Sequence, residues 1–291
     1  MIVVFGSINV DVVVPVPHLP VAGETVLGGD YAIAPGGKGA NQALAARRAG
    51  AVVTMVGTVG RDAFAEAALS RLRDEGVDLD LVASSHRPTG CAAITVDPRG
   101  ENLIAVASGA NLATAAAQVP DDRLGPKTIL LLQREVPSAE NAVLIERARA
   151  RGARIVLSLA PAGPIAPARV ENIDILIANE GEAASLGDVS EVARRLRRAL
   201  VITQGAAGAT ALLAAGAWLT VPALAIDPVD TTGAGDTFAG VFAAGLDQVL
   251  PLERALRRAS AAAALACLAV GAQAAMPDRA AIDAAAERLP R

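Results

Sequence analysis

Short apolar runs recur along the chain: IVVFGSI, VVTMVGTV, TILLLQ, RIVLSLA, IDILIA and LVITQG. Runs this apolar and this short read as strands buried on both faces. Between them lie stretches of helical pattern: ANQALAARRAG (40–50), DAFAEAALSRLRDEG (62–76) and SAENAVLIERARARG (138–152). Each closes on a glycine at the C′ position, Gly50, Gly76 and Gly152. Strand and helix in alternation predict an α/β fold, a mainly parallel sheet with helices on both faces.

Two segments break that rhythm. VDVVVPVP through APGG (10–37) and TGCAAITVDPRGENLIAVAS (89–108) have strand character with no helix between the strands, and DPRGE offers a hairpin turn. They predict a small discontinuous β-sheet, 10–37 with 89–108, standing off a large domain made of 1–9, 38–88 and 109–291. An apolar sheet of that size is not stable alone. It is expected to serve as a lid over a cleft and to pair with another subunit as a homodimer.

Composition narrows the picture. With 291 residues, 53% of them hydrophobic, the chain can bury one large core. The formal net charge is −4, and arginines are scattered through helical segments such as RARAR (147–151) and RRLRR (194–198). With one Trp and one Tyr as stacking platforms, nothing points to nucleic acid. Cys91 and Cys267 lie far apart without metal-ligand spacing, so reduced thiols in a cytoplasmic protein are expected. The first residues lack the basic region of a signal peptide, and the longest apolar run, AAAALACLAV (261–270), is too short to span a bilayer.

Candidate chemistry gathers at glycine-rich turns. DTTGAGDTFAG (230–240) reads as a turn opening a helix, where backbone N–H groups favour an anion. Yet Asp236 sits in the first turn of that helix and would repel a phosphate docked there. It is not a dinucleotide fingerprint, because Phe238 takes the sixth position, and the plainer reading is a tight turn with a helix-terminal charge. PGGKGANQA (35–43) puts a Gly-Gly turn, Lys38 and Asn41 directly before a helix, donors suited to hydroxyls or phosphate oxygens. It is not a P-loop, since Gly39 follows the lysine where Ser or Thr is required; a solvated turn is its plainer reading. SINVD (7–11) places Asn9 and Asp11 two residues apart at the end of the first strand, so both project to one side. Glu135 follows a strand at the carboxyl edge where open α/β sheets bind ligands. In NEGE (179–182), Asn179 and Glu182 either orient a hydrated metal–phosphate complex or simply cap a helix. His18 and His86 lie in predicted loops without partners at ligand spacing and are assigned no role.

SINVD, PGGKGANQA, NEGEAASL (179–186), ITQGAAGA (202–209) and VDTTGAGDTFAG (229–240) stand in an order and spacing that resemble the ribokinase-type carbohydrate kinases, over essentially the whole chain. The lysine of GGKGANQ narrows the resemblance toward members that phosphorylate ribose. The resemblance implies that Asn9, Asp11, Gly37, Lys38, Asn41 and Glu135 hold sugar hydroxyls. It implies that Asn179, Thr203, Gly205, Gly208, Gly235 and Ser260 line an ATP site, with Glu182 helping to place Mg2+. Gly233, Ala234 and Gly235 match the anion hole, and Asp236 the catalytic base. Asp230, Thr232, Ala266, Ala269, Gly271 and Ala275 match positions holding an activating monovalent cation, K+, mostly through backbone carbonyls.

Three positions depart from the family. Ala275 stands where serine is frequent, Ser158 where asparagine is common, and Ser260 where a larger polar residue lies near the adenine. The implied reaction is ATP-dependent phosphorylation of D-ribose at O5. That reading also answers the repulsion, since one helix start would hold the phosphoryl group with its N–H groups while its carboxylate takes a proton from the sugar. The alternatives are a kinase of another pentose, deoxyribose or a nucleoside, and a non-catalytic sugar-binding protein. A nucleoside needs a slot for its base, and the lid segments contain only Tyr31 as an aromatic.

Overall fold

In the computed structural model, residues 1–163 and 170–290 are described. An interior strand of the main sheet is β1 (Ile2–Phe5), every residue of which is buried. Ile2 and Val4 join one core cluster, whereas Val3 and Phe5 join another. Period-two alternation thus feeds two cores from one strand, which is why the run is apolar throughout. Parallel neighbours flank it: β4 (Val53–Val59) on one side and β8 (Ile129–Leu132) on the other.

Outward from β4 lies β5 (Asp78–Ser84). Outward from β8 come β9 (Arg154–Ser158), β10 (Ile175–Asn179) and β11 (Ala199–Thr203), all parallel. The edge is an antiparallel hairpin, β12 (Ala209–Leu213) and β13 (Trp218–Val221), which completes a nine-stranded sheet. Helices α1 (Lys38–Arg48), α2 (Ala63–Asp74), α6 (Ala234–Asp247) and α7 (Leu252–Ala266) bury side chains in the Ile2/Val4 cluster. On the Val3/Phe5 side lie α3 (Ser138–Ala150), α4 (Glu180–Ala184) and α5 (Val189–Arg195). The C′ glycines after α1, α2 and α3 all adopt positive φ, the conformation that ends a helix at little cost in glycine.

Sheet order reverses between β1 and β8, because the chain first builds β1, β4 and β5 to one side and then β8 to β11 to the other. Such a switch point leaves a crevice outside the carboxyl ends of the strands. Above it stands a second, four-stranded sheet: β3 (Ala32–Gly36), β2 (Asn9–Pro15), β6 (Gly90–Val96) and β7 (Asn102–Ala107). Asp97 closes the β6–β7 hairpin by accepting from the Arg99 and Glu101 amides. All six residues of β7 are exposed, including Leu103, Ile104 and Val106.

Two elements differ from the sequence reading. Asn9 and Asp11 open β2 of the small sheet, because β1 ends at Phe5 and Gly6 to Ile8 bridge the two sheets. They still share a face, being two residues apart in a strand. Helix α1 begins at Lys38 rather than after it.

Candidate active site

The crevice at the switch point is built by backbone geometry first. Gly37 holds φ 90°, and a Cβ there would stand 2.7 Å from the Asn9 amide nitrogen, so only glycine lets the start of α1 approach β2 this closely. The Ser7 hydroxyl donates to Glu135 (2.5 Å), the Lys38 amide donates to the same oxygen (3.1 Å), and the Gly39 amide donates to Ser7 Oγ (3.2 Å). These bonds tie the exits of β1 and β8 to the first turn of α1. Asn9 is fixed from behind: Asn111 Nδ2 donates to its Oδ1 (2.7 Å), while Asn111 Oδ1 accepts from the Ile8 amide (2.9 Å).

Asp236 lies in the first turn of α6 and is only 7% exposed. Gly233 precedes the helix in the left-handed conformation, φ 76°, and a Cβ there would meet the Ala272 Cβ at 2.8 Å. Both carboxylate oxygens of Asp236 accept side-chain amides: Oδ2 from Asn41 (3.0 Å) and Oδ1 from Gln42 (2.9 Å). Asn41, implied to hold sugar, therefore also orients Asp236. Gln42 has no place in the sequence reading although it lies within the quoted PGGKGANQA.

Charge is concentrated here. Burial pushes the Asp236 carboxyl above its ordinary value, with the charge of Glu135 adding to it against Lys38 and the two amides. Asp11 is pushed up to about 6, first by burial and then by the Glu135 and Asp236 charges, with Lys38 opposing. The Lys38 ammonium is held above its usual value chiefly by Asp236, with Glu135, Glu182 and Asp11 adding to it against burial. One cation thus sits among four carboxylates, a setting that favours binding further positive charge or an electrophilic phosphorus.

A cleft of about 220 Å³ lies at this point, lined by Lys38, Ser158, Asn179, Glu182, Gly233 and Asp236. Next to it, sharing Thr203 and Gly235, is a cavity of about 500 Å³ bounded by Gly205, Gly208, Phe238 and Ser260 and by the apolar segment 223–226. Ser260 spends its hydroxyl on the Pro222 carbonyl (2.8 Å). Asn179 and Glu182 form a reciprocal cap of α4, Glu182 N to Asn179 Oδ1 at 2.7 Å and Asn179 N to Glu182 Oε2 at 2.9 Å. The capping reading of NEGE is thus realised, while both side chains still line the cleft.

Beyond the Gly233 turn, Asp230 accepts from the Thr232 amide (2.9 Å) and the Gly271 amide (2.8 Å). Burial pushes Asp230 up, but these bonds outweigh it and hold the carboxyl below its ordinary value. Ala266 ends α7, Ala269 is exposed in the turn after it, and Ala275 ends the short helix α8 (Ala272–Ala275). Asp230, Thr232 and Gly271 are joined by hydrogen bonds; the three alanines offer backbone carbonyls alone. A carboxylate and main-chain carbonyls are hard-oxygen donors, the kind that hard cations take.

Comparison with known proteins agrees with this architecture. Residues 1–279 match the family described as pfkB family carbohydrate kinase. The ribokinase of Bacillus subtilis is 38% identical over 284 residues, covering 96% of each chain. Among solved structures, a Thermotoga maritima ribokinase superposes with a TM-score of 0.91 at 29% identity, covering 99% of both chains. An Arabidopsis thaliana ribokinase complexed with ribose and ATP gives a TM-score of 0.90 at 31% identity, with 98% of both chains covered.

Proposed function

Because the chain belongs to the pfkB family of carbohydrate kinases, we propose that it transfers the γ-phosphoryl group of ATP to O5 of D-ribose with Asp236 as general base. The observation that carries this reading is the position of Asp236: a buried carboxylate, clamped by two amides, at the junction of a small polar cleft and a larger apolar cavity.

On the sugar side, Asn9, Asp11, Lys38, Asn41 and Glu135 supply donors and acceptors for the hydroxyls, with Gly37 giving room for close approach. Each Asp236 oxygen accepts one amide and keeps a lone pair, enough for one oxygen to take the proton of the attacking hydroxyl. Its raised pKa brings the base nearer to neutral pH, where proton transfer is best matched. On the nucleotide side, Thr203, Gly205, Gly208 and Ser260 bound the cavity for the adenosine moiety, and Asn179 lies toward the phosphates. At the start of α6 the N–H groups of Gly233 and Gly235 would face the charge that spreads over the transferring group, with the Ala234 amide shared with the Thr231 carbonyl (3.2 Å). Phosphoryl transfer has a loose transition state, so positioning and neutralisation do most of the work.

Among the described residues no cluster of three or more His, Cys, Asp or Glu stands ready to hold a metal alone. Glu182 beside the cleft fits magnesium, which takes one or two carboxylates together with substrate phosphates. When bound, the ion neutralises charge on the phosphates. Potassium would be held by Asp230 and the carbonyls around Thr232, Ala266, Ala269, Gly271 and Ala275, supplying positive field beside the anion turn. The four-stranded sheet would close over the sugar and exclude water. Its exposed Ile33, Leu103, Ile104 and Val106 would be covered by a second copy, which sedimentation equilibrium tests through the molecular mass. No helix among the described residues is long and apolar enough to cross a membrane, and we assign the activity to the cytoplasm, where free Cys91 and Cys267 stay reduced.

Asp236→Asn tests the assignment. As base, its loss lowers kcat by about 10²–10⁴-fold while nucleotide binding survives. Near-parental turnover, with only a change of about 0.3–1 kcal/mol in stability, would mean that Asp236 is a helix-terminal charge and no base.

A further inference from the structure

Behind the carboxylate clamp lies a third amide that the reaction scheme above does not use. Gln273 is 2% exposed and donates from Nε2 to Asn41 Oδ1 (3.1 Å), while Asn41 Nδ2 donates to Asp236. An asparagine amide has two ends of similar shape and opposite polarity. Facing Asp236 with its oxygen, Asn41 would set one acceptor against another; facing it with Nδ2, it donates. Asp236, which only accepts, calls for the second orientation, and the Gln273 donor on Asn41 Oδ1 occupies the other end of the amide and holds it there, Gln273 Oε1 itself being buried without a partner. The same short helix that carries Gln273 packs Ala272 against Gly233 of the anion turn, and Gly271 just before it donates to Asp230. Its far end is pinned as well: Arg48, at the end of α1, donates to the Met276 carbonyl (2.5 Å) and the Gln273 carbonyl (3.3 Å) while paired with Glu75.

We infer that Gln273 is a positioning residue, which fixes the Asn41 amide and through it the Asp236 carboxylate, so that segment 271–276 sets the base and the anion turn together. This rests on Asp236 being the general base. The inference makes Gln273 act on proton transfer without touching either substrate.

Gln273→Met keeps the length and removes the donor. Its kcat should fall about threefold to tenfold, the worth of one neutral hydrogen bond, with the KM for ATP within about twofold of the parent. The acid limb of kcat should move to higher pH, since an Asn41 amide no longer held from behind donates less firmly to the ionised Asp236. Lys38 on α1, Glu135 after β8 and Asp11 on β2 are the other charged groups facing Asp236, and the substitution leaves them in place. Gln273→Glu, nearly isosteric but presenting acceptors only when ionised, should lower kcat further than the methionine. In an Asn41→Ala background the effect of Gln273→Met should vanish, because its route is gone. Melting temperature reads folding for each variant, and Gln273→Leu replaces the methionine should the latter not fold. Unchanged kcat and acid limb in Q273M, or an equal loss of kcat in the Asn41→Ala background, would overturn the inference about Gln273 alone. Asp236→Asn run alongside separates the two readings, since full turnover in that variant would remove the base assignment and this inference with it.

Discussion

The two sides of the proposed site are built by opposite means. On the proposed sugar side three polar side chains are held by other polar groups: Asn9 by Asn111, Glu135 by Ser7 and the Lys38 amide, Asp236 by Asn41 and Gln42. On the nucleotide side the cavity of about 500 Å³ is walled by Ala223, Leu224, Ile226, Phe238, Ala264 and other small or apolar residues. Its one serine is already bonded to a backbone carbonyl. Hydroxyls are told apart by hydrogen bonds, and a site that loses one is left with unpaired polar groups, so the sugar side should tolerate little change. A flat apolar base needs shape and area, which many side chains supply.

The largest effect expected from this contrast is at Asp11. Asp11→Asn should lower kcat/KM for ribose by about 10²–10³-fold while the KM for ATP stays within about twofold. In the parent enzyme Asp11 titrates near 6, so kcat/KM for ribose should fall below about pH 6 as the carboxylate is protonated, and the nucleotide KM should stay flat across that limb. Stability moves the other way. With a folded pKa of about 6 against an ordinary 3.8, the native state binds the extra proton, so this group's contribution improves as pH falls through that window and is lost above it. Asp11→Asn should therefore melt several degrees higher than the parent at alkaline pH, and a lower melting temperature would show that the buried charge is not a cost.

Filling the apolar side should separate the two regions further. Ala264 lines the cavity and is nearly buried, so Ala264→Phe should raise the KM for ATP by about tenfold or more through steric exclusion and leave the KM for ribose unchanged. A parallel loss in ribose affinity would mean that the two regions are not independent. The smallest effect concerns the turn between them. Exchanging potassium for a large organic cation at matched ionic strength should lower kcat a few-fold, with sodium between, and equal rates in all three would count against a cation beside Asp230.

The same contrast decides what is legible in the sequence. Strands buried on both faces, such as β1 and β8, stand out as unbroken apolar runs, and the plan of a sheet between two helical layers follows from them. The β12–β13 hairpin does not stand out, because ATALL and WLTV carry too little period-two signal. Sugar-side residues are legible since carboxylates and amides at sheet edges need a reason to be there. Asn9 and Asp11 fall one element later than expected because Gly6 to Ile8 carry the chain between sheets with only Ser7 to interrupt the apolar pattern. Gln42, Asn111 and Gln273 escape notice because they act on other side chains, at distances of up to 232 residues in sequence. Nucleotide-side residues such as Leu224 and Ala264 read simply as core, and only the fold shows them around a cavity.

One measurement tests the central claim most directly: kcat/KM by ADP release for a panel of pentoses, hexoses, deoxyribose and nucleosides, with the phosphorylated oxygen of the product identified by NMR. Ribose should rank first and carry the new phosphate on O5. Adenosine or another nucleoside outranking ribose would contradict the account, since the polar side would then be reading only part of its ligand.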